Sequence, residues 1–361
     1  MARTRLDDRR GTARRSARAT ALLGLAFLLA SCQASTAPVV TRHPGATAPA
    51  GPTALPTQAP PAASSAAPSP AAMPSATTTG APRATITHVV VVWMENRDAS
   101  AVTAASMPYL YGLAETYGRA DRYDAVTHPS LPNYLAFWSG STQGVTDDGV
   151  HDLAAESLSN QLAAAGLSWR TYAQDYPAGG CHAGSSYPGG VDGPGVAGTY
   201  ARKHNPAMSF TFVSGSTQCD NIQPLASFDP GVSFAFVAPN LCNDMHDCGA
   251  AQGDAFLRAF LPQVLAAPNW PHTLLVVSFD EGTTDVGGGG RVFTLVARQG
   301  LSGIVSSIPH DHYGLLRTVE DVLGLPCLGA ACTATPLDEF LQSARGRTDR
   351  GDGRRPGAGT G

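Results

Sequence analysis

Continuous apolar runs alternate with amphipathic stretches between residues 84 and 342. Runs rich in β-branched and aromatic residues predict strands that are buried on both faces, as in a parallel sheet. These runs are ITHVVVVWM (86–94), SWRTYAQ (168–174), VSFAFVAPN (232–240), HTLLVVSFDEG (272–282) and VFTLVAR (292–298). The first run stops abruptly, because the polar segment ENRD follows it directly.

Amphipathic segments lie between these runs and predict helices. They are MPYLYGLAETYG (107–118), SLPNYLAFWSG (130–140), ESLSNQLAAAG (156–166), GDAFLRAFLPQVLAAP (253–268) and YGLLRTVEDVLG (313–324). Apolar strands that alternate with amphipathic helices favour an α/β fold with a mostly parallel sheet covered on both faces.

The first 32 residues have the pattern of an export signal. Seven arginines within residues 1–18 precede the apolar run ALLGLAFLLA and then SCQAS. A basic start, a short apolar core and a small-residue cleavage site are typical of a secretory signal, and the core is too short for an ordinary transmembrane helix. LLASC also resembles the bacterial lipobox, which would make Cys32 a lipidated membrane anchor. A plain signal peptide cleaved nearby is the alternative.

Two segments have a composition that does not build a core. Residues 33–83 are mainly Ala, Pro, Ser, Thr and Gly, which predicts a disordered tether. The Arg- and Gly-rich residues 343–361 predict a disordered tail. The remaining block, 84–342, is large enough for one domain with an ample core. We expect this domain to stand at the outer face of the cell membrane on a lipid anchor, or to be secreted.

The block 84–342 is acidic. It contains 24 Asp and Glu against 10 Lys and Arg, a formal charge of −14, whereas the whole chain carries −4. A domain of this sign does not suit a nucleic-acid backbone, so no nucleic-acid partner is expected. It suits cations, or anions held through a bound cation.

Six cysteines follow Cys32, and an even number in an exported chain favours disulfides. Proximity in the sequence favours Cys242–Cys248 and Cys327–Cys332, which leaves Cys181–Cys219, although other pairings stay open. Zinc is the alternative, but none of these pairs has C-x-x-C spacing.

Three predicted strands end in residues that can ligate a cation. They are Glu95 and Asn96 after the first strand, Asp244 and His246 in the segment PNLCNDMHDC, and Asp280 and Glu281 after HTLLVVSF. Since parallel neighbours bring their carboxyl ends to one edge of the sheet, these side chains could converge there. Oxygen ligands suit Ca²⁺, Mg²⁺ or Mn²⁺, and added imidazole suits zinc or iron. Each carboxylate taken singly would equally fit a loop start or a helix cap.

Ser130 stands at the start of the predicted helix SLPNYLAFWSG. It fits an N-cap, or else a nucleophile placed where helix N–H groups and the dipole favour an anion. Asn133, one turn later, could donate to a phosphate oxygen. His204, His246 and His312 are candidates for metal ligation or proton transfer, with a surface or cap position as the alternative. His128 has no role assigned, although it lies close to Ser130 in the sequence.

Six segments, in order, resemble the bacterial phosphoesterase family, which includes secreted acid phosphatases and phospholipases C and lies within the alkaline phosphatase superfamily. They are WMENRD, HPSLPNYLAFWSGST, ARKHNP, PNLCNDMHDC, VVSFDEG and DHYGLLRTVEDVLGLPCLG. The resemblance runs from about 86 to 330. It implies a three-layer α/β/α sandwich, alkaline-phosphatase-like, and metal-dependent phosphoryl transfer by a phosphoesterase catalytic domain.

The resemblance also implies roles for individual residues. The metal ligands would be Glu95, Asn96, Asp280 and Glu281, with Ser130 as nucleophile. His204, His246 and His312 would contact phosphate, metal or the leaving group. Asn133 and Asp244, inferred from their positions in the sequence, are further candidates for substrate binding. ENRDAS lacks the phenylalanine-rich continuation typical of the phospholipase C branch, which weakens that assignment of substrate.

These observations predict an exported, metal-dependent phosphatase that hydrolyses phosphate monoesters through a phosphoserine on Ser130. The metal is left open among Ca²⁺, Mg²⁺, Mn²⁺ and Zn²⁺, and the substrate is a small phosphorylated molecule or a phospholipid. One alternative is a phospholipase C or phosphoinositide phosphatase that acts on lipid phosphoesters. Another is a non-catalytic surface lipoprotein on the same fold, which would need none of the intact Glu-Asn, Ser and Asp-Glu set.

Overall fold

The computed structural model describes residues 85–188 and 199–342. The predicted signal peptide with Cys32, the tether 33–83 and the tail 343–361 lie outside the described residues. None of the helices in the described part of the chain is long and apolar enough to cross a membrane.

The strands, numbered along the chain, are β1 His88–Met94, β2 Gly118–Ala120, β3 Tyr123–Asp124, β4 Trp169–Ala173, β5 Ser186–Pro188, β6 Thr199–Ala201, β7 Ile222–Pro224, β8 Phe234–Ala238, β9 Thr273–Phe279, β10 Thr294–Ala297, β11 Ile304–Ser306 and β12 His310–Asp311. The helices are α1 Pro108–Thr116, α2 Ser130–Ser139, α3 Leu158–Ala164, α4 Thr211–Ser214, α5 Ala250–Phe260, α6 Pro262–Leu265 and α7 His312–Leu323.

Eight of these strands form one sheet in the order β11-β2-β10-β9-β1-β8-β4-β7. β1 lies between β9 and β8 and runs parallel to both. β10 is antiparallel to β9 and to β2, so it runs against the other seven strands. The prediction of a mostly parallel sheet is confirmed, and the reversal of β10 is a feature that its apolar pattern does not encode.

Helices cover both faces of the sheet. The ring of Trp93 in β1 packs against Tyr134 and Phe137 of α2, with centroids 4.9 Å apart in each case. Met94 is the next residue in the strand and therefore points to the opposite face. There its side chain lies against α5, since a Cβ on Gly253 would stand 3.1 Å from Met94 Cε. The predicted three-layer α/β/α sandwich is confirmed.

Each of the predicted strands and helices is present in the structure. The predicted helix 253–268 is divided, because α5 ends at Phe260 and α6 begins at Pro262. Proline lacks an N–H and suits the first turn of a helix better than its interior. The short strands β2, β3, β5, β6, β7, β11 and β12 were not predicted, because two or three residues are too few for a periodic pattern.

Three disulfides join Cys181–Cys219, Cys242–Cys248 and Cys327–Cys332, with Cα–Cα distances of 5.4, 4.7 and 5.0 Å. The pairing favoured by proximity is confirmed. The Cys242–Cys248 loop carries Asp244 and His246, so this disulfide restrains two of the predicted site residues.

Candidate active site

Backbone hydrogen bonds join the polar ends of three strands at the carboxyl edge of the sheet. The N–H of Asp280, just after β9, donates to Met94 O at the end of β1 at 3.0 Å. The N–H of Glu95 donates to Asp244 O, in the loop after β8, at 2.9 Å. The N–H of Asn96 donates to the Asp280 carboxylate at 3.0 Å. The predicted convergence of these strand ends is therefore observed.

The turn after β1 depends on an uncommon backbone conformation. Asn96 has φ +50°, in the left-handed region that asparagine tolerates better than most residues. Arg97 fixes the turn, because its guanidinium donates to Asn96 O at 2.9 Å, Met245 O at 3.3 Å and Cys248 O at 3.2 Å. Arg97 thus attaches the end of β1 to the Cys242–Cys248 loop.

Helix α2 brings Ser130 to this edge. Its first residue is Ser130, after Pro129. Ser130 Oγ lies 3.3 Å from Glu95 Oε2 and 3.5 Å from Glu281 Oε1. The hydroxyl is therefore directed at two carboxylates, whereas the N-cap alternative requires it to accept from a helix N–H. Tyr134, one turn later, donates its hydroxyl hydrogen to Glu95 Oε1.

His204 is buried beside the same glutamate. Its Nδ1 lies 3.1 Å from Asp244 Oδ2, and its Nε2 lies 3.3 Å from Glu95 Oε1. The imidazole stacks on the Tyr134 ring, with centroids 5.4 Å apart. Burial, assisted by the positive charge of Lys203, lowers the pKa of His204 to about 3. The ring is therefore neutral at physiological pH.

Four carboxyl groups crowd this edge. Burial, reinforced by the charges of Asp280 and Asp244, holds the pKa of Glu95 well above its usual range. Burial likewise raises the pKa of Asp244 and the pKa of Asp280. Burial and the charge of Asp280 raise the pKa of Glu281 to about 7. Like charges in a region of low dielectric repel one another, so the cluster favours a bound cation.

Two buried oxygens fit such a cation. Asn96 Oδ1 and Asp280 Oδ2 have no hydrogen-bond partner among the described residues, which is unusual for buried polar atoms. Glu95 also forms a group with His204 and Asp244, whose potential ligand atoms lie within 4.8 Å of one another. Both Asp244 oxygens have partners, however, in His204 Nδ1 and in the N–H of His246. Asn96 and Asp280, which carry the unpartnered oxygens, both belong to the predicted set of metal ligands.

Asn133 lies differently from the predicted donor to phosphate. Its Oδ1 accepts from the N–H groups of Val126 and Thr127, at 2.9 and 3.1 Å. Its Nδ2 donates to Thr127 O and Pro129 O, at 2.8 and 3.2 Å. The buried amide is thus occupied in shaping the loop that leads into Ser130.

His312 lies behind the edge of the sheet. Its Nε2 is 2.6 Å from Asp280 O, and its Nδ1 is 3.1 Å from the Tyr123 hydroxyl. Burial lowers its pKa to about 4. Both ring nitrogens contact protein atoms, so the structure places His312 where it orients the Asp280 backbone.

His246 is the most accessible of the three predicted histidines. Its side chain is 30% exposed, against 2% for His204. His246 Nδ1 lies 2.7 Å from Asp247 Oδ1, and its Nε2 lies 3.4 Å from Lys203 Nζ. It is therefore accessible to solvent and to a substrate group.

Two contributors were missed in the sequence. Tyr134 lies four residues after Ser130, so helical spacing places both on one face and could have identified it. His128 Nδ1 lies 2.7 Å from Glu281 Oε2, and its Nε2 lies 3.1 Å from Thr284 O. Its proximity to Ser130 was a signal, but a loop pattern does not reveal which way a side chain points.

Comparison with known proteins now places the chain. The profile of the Phosphoesterase family matches residues 100–326. The chain belongs to the phosphoesterase family. It is accordingly a hydrolase that acts on phosphoric ester bonds, as the resemblance of its six segments implied.

Curated phosphoesterase relatives include a phosphatidylinositol-3-phosphatase of Mycobacterium tuberculosis, 35% identical over 268 residues, or 71% of this chain and 83% of that protein. A probable acid phosphatase of Kluyveromyces lactis is 31% identical over 253 residues, or 66% of this chain and 58% of that protein. The chain thus spans little more than half of the yeast relative. An alkaline phosphatase superfamily protein from Vibrio parahaemolyticus superposes with a TM-score of 0.48 and 12% identity, over 72% of this chain and 74% of that one.

Proposed function

We propose that this phosphoesterase is an exported phosphatase that hydrolyses phosphate monoesters through a phosphoserine on Ser130. The position of Ser130 Oγ carries the proposal, since it lies 3.3 Å from Glu95 and 3.5 Å from Glu281. The similarity to acid phosphatases supports monoesters as substrates. The three disulfides of the described domain support export, with Cys32 as the proposed lipid anchor.

Glu95, Asn96, Asp280 and Glu281 would hold a divalent cation. The support is the pair of unpartnered oxygens, Asn96 Oδ1 and Asp280 Oδ2, within a cluster of carboxylates. Such a cation would lower the pKa of the Ser130 hydroxyl and neutralise charge on the phosphoryl group. An oxygen set suits Ca²⁺, Mg²⁺ or Mn²⁺, and Zn²⁺ becomes favourable if His204 joins it.

The chain supplies the remaining steps. Ser130 Oγ attacks phosphorus in line with the ester oxygen, and the serine proton passes to Glu281. The bond from phosphorus to the ester oxygen breaks, and His246 donates a proton to the leaving alcohol. Water then attacks the phosphoserine and gives a proton to His246, the bond from phosphorus to Ser130 Oγ breaks, Glu281 returns the proton to Ser130 Oγ, and inorganic phosphate leaves. His204 would hold Asp244 through Nδ1, and its Nε2, which has no hydrogen-bond partner among the described residues, could join the ligands of the cation.

The decisive experiment replaces Ser130 with alanine and measures p-nitrophenyl phosphate hydrolysis. Ser130→Ala should lower kcat by roughly 10⁴-fold or more, since removing a covalent nucleophile has effects of this size. An acid quench should trap labelled phosphate on wild-type protein alone. Ser139→Ala is the matched control, because Ser139 lies on the same helix with its hydroxyl bonded to Leu135 O. Full turnover by a folded Ser130→Ala variant would rule out the phosphoserine.

A phosphoinositide phosphatase is the second candidate, favoured by similarity to the phosphatidylinositol-3-phosphatase of Mycobacterium tuberculosis. Three substrates separate the alternatives: a soluble monoester, bis-p-nitrophenyl phosphate, and phosphatidylinositol 3-phosphate in neutral vesicles. Faster turnover of the vesicle lipid than of the soluble monoester would favour the lipid substrate. Preference for the diester would indicate a phospholipase-C-type activity.

A further inference from the structure

A cavity of about 180 Å³ borders the candidate active site on the side of the Cys242–Cys248 loop. Its charged and titratable groups are Asp148, Arg202, Lys203 and His246, and Val150 and Leu241 form part of its apolar wall. An engineered apolar cavity of roughly 150 Å³ holds a benzene molecule. The space therefore fits one six-membered ring.

Two hydrogen bonds connect this cavity to the reacting groups. Asp148 Oδ1 accepts from the N–H of Leu131, the residue after Ser130, at 2.9 Å. The N–H of His246 donates to Asp244 Oδ1 at 2.7 Å. The wall of the cavity is therefore bonded to the residue after Ser130 and to Asp244, which places the cavity beside the reacting groups.

Lys203 is held with its ammonium at this cavity. Its Nζ lies 2.8 Å from Asp148 Oδ2 and 3.4 Å from His246 Nε2, and its side chain is 18% exposed. An ammonium carries three donors. One of them is directed at Asp148 Oδ2, and the others can reach a ligand in the cavity.

Lysine is rare in this chain, which otherwise uses arginine for its basic residues. Lys203 is the single lysine among 361 residues, and the other 23 of the 24 Lys and Arg residues are arginine. Lysine presents a compact point charge with rotatable donors, whereas arginine presents a planar fork that suits bidentate anions. An ammonium suits an acceptor such as a hydroxyl group in a narrow space.

Each cation that lines the cavity has an anionic partner. Lys203 Nζ lies 2.8 Å from Asp148 Oδ2, and Arg202 Nη2 lies 2.7 Å from Asp152 Oδ1. Because both positive charges are neutralised by these partners, the cavity offers a second phosphate group little net attraction, whereas a neutral hydroxyl would accept a charge-assisted hydrogen bond from Lys203.

We propose that this cavity binds the alcohol part of the ester, and that Lys203, held by Asp148, makes it specific for neutral, hydroxyl-bearing alcohols of sugar or cyclic polyol size. The proposal rests on the proposed monoesterase activity. The alcohol is the part of the substrate that departs with the ester oxygen.

The test compares glucose 6-phosphate with phenyl phosphate, which has a ring of similar size without alcohol hydroxyls. Lys203→Met in the full chain should lower kcat/KM for glucose 6-phosphate about tenfold, mainly through KM, because a charge-assisted hydrogen bond is lost. Phenyl phosphate should change by less than about twofold. An equal loss for both esters would place Lys203 at the phosphoryl group and overturn the proposal, as would no loss for either.

Asp148→Asn provides a second, opposite test, since it keeps an acceptor for Leu131 and removes the charge beside Lys203. The preference for glucose 1,6-bisphosphate over glucose 6-phosphate should rise about fivefold, by phosphate release. Asp321→Asn is the matched control, because Asp321 pairs with Arg317 at 2.9 Å and both residues lie outside the cavity lining. No rise for Asp148→Asn, or an equal rise for Asp321→Asn, would overturn the proposal.

The wild-type protein separates the two proposals. If it releases phosphate from neither glucose 6-phosphate nor phenyl phosphate, the monoesterase proposal fails and the cavity proposal fails with it. If it hydrolyses both and the variants leave the ratios unchanged, the cavity proposal alone fails.

Discussion

Glu95 and Glu320 are both buried glutamates, and their surroundings differ in a way that explains their chemistry. Glu320 lies in α7 with Oε1 accepting from the N–H of Leu328 at 2.8 Å. Burial raises its pKa to about 8. Its Oε2 and the buried Gln161 Oε1 both have no partner in the described residues. One proton on Glu320 neutralises the group and gives it a donor for Gln161.

One proton does not neutralise the surroundings of Glu95 in the same way. Asp244 and Asp280 add their charges to it, and burial raises the pKa of all three. Protons would neutralise the cluster, but they would also remove the anionic oxygens that a cation needs. A lone buried carboxyl is therefore stabilised by a proton, while a cluster of carboxyls is better suited to a divalent ion.

The largest expected effect is the difference in kcat/KM between variants of the two glutamates. Glu95→Gln should lower kcat/KM by roughly 10³-fold, as expected when one electrostatic contact to the reacting groups is lost. Glu320→Gln should leave kcat/KM within about twofold, because it only replaces the proton donor to Gln161. Steady-state kinetics on one phosphate monoester measures both variants. Equal losses would mean that Glu320 also serves the reaction.

A smaller effect concerns the cation. Added Mg²⁺, Ca²⁺, Mn²⁺ or Zn²⁺ at about 100 times its Kd should stabilise the wild-type protein by about 2.7 kcal/mol, a Tm rise of several degrees. Glu320→Gln should show the same rise, and Asp280→Asn should show little of it. Calorimetry with and without chelator measures the shifts. An undiminished shift in Asp280→Asn would move the ion to the group of Glu95, His204 and Asp244.

The third test concerns the pH dependence of stability at Glu320. Its folded pKa, about 8, lies above the unfolded value near 4.5. The folded state therefore holds a proton that the unfolded state has lost between these values. Its contribution to stability is complete below about pH 4.5 and falls by up to ~1.4 kcal/mol per pH unit until about pH 8.

Glu320→Gln removes this titration, keeps an acceptor for the N–H of Leu328 and supplies a donor for Gln161 Oε1. Relative to the variant, the wild-type free energy of unfolding should fall as the pH rises from 5 to 8. Denaturant titrations of both proteins at each pH measure the difference. Parallel curves for the two proteins would show that Glu320 is ionised in the fold.

The sheet and the reactive edge were accessible from the sequence, because both depend on strand patterning. β1 and β9 end in polar residues, and parallel neighbours must bring Glu95 and Asp280 together. The orientation of other side chains was not accessible. Asn133 is in the expected helix, yet its amide faces the preceding loop. His312 begins the expected helix, yet it faces Asp280 O from behind. Tertiary packing determines the orientation of these side chains, and the hydrophobic pattern of the sequence does not predict it.

The hydrogen bonds of Arg97 affect which sequence changes the Cys242–Cys248 loop can accept during evolution. Each of its hydrogen bonds to the disulfide loop ends on a main-chain carbonyl, of Met245 and of Cys248. Carbonyl groups stay the same whatever side chains the loop carries. Mutation can therefore alter the side chains at positions such as 246 and 247 while the loop stays bonded to the carboxyl edge of the sheet. The loop is a place where new substrate preferences can evolve without loss of the catalytic frame.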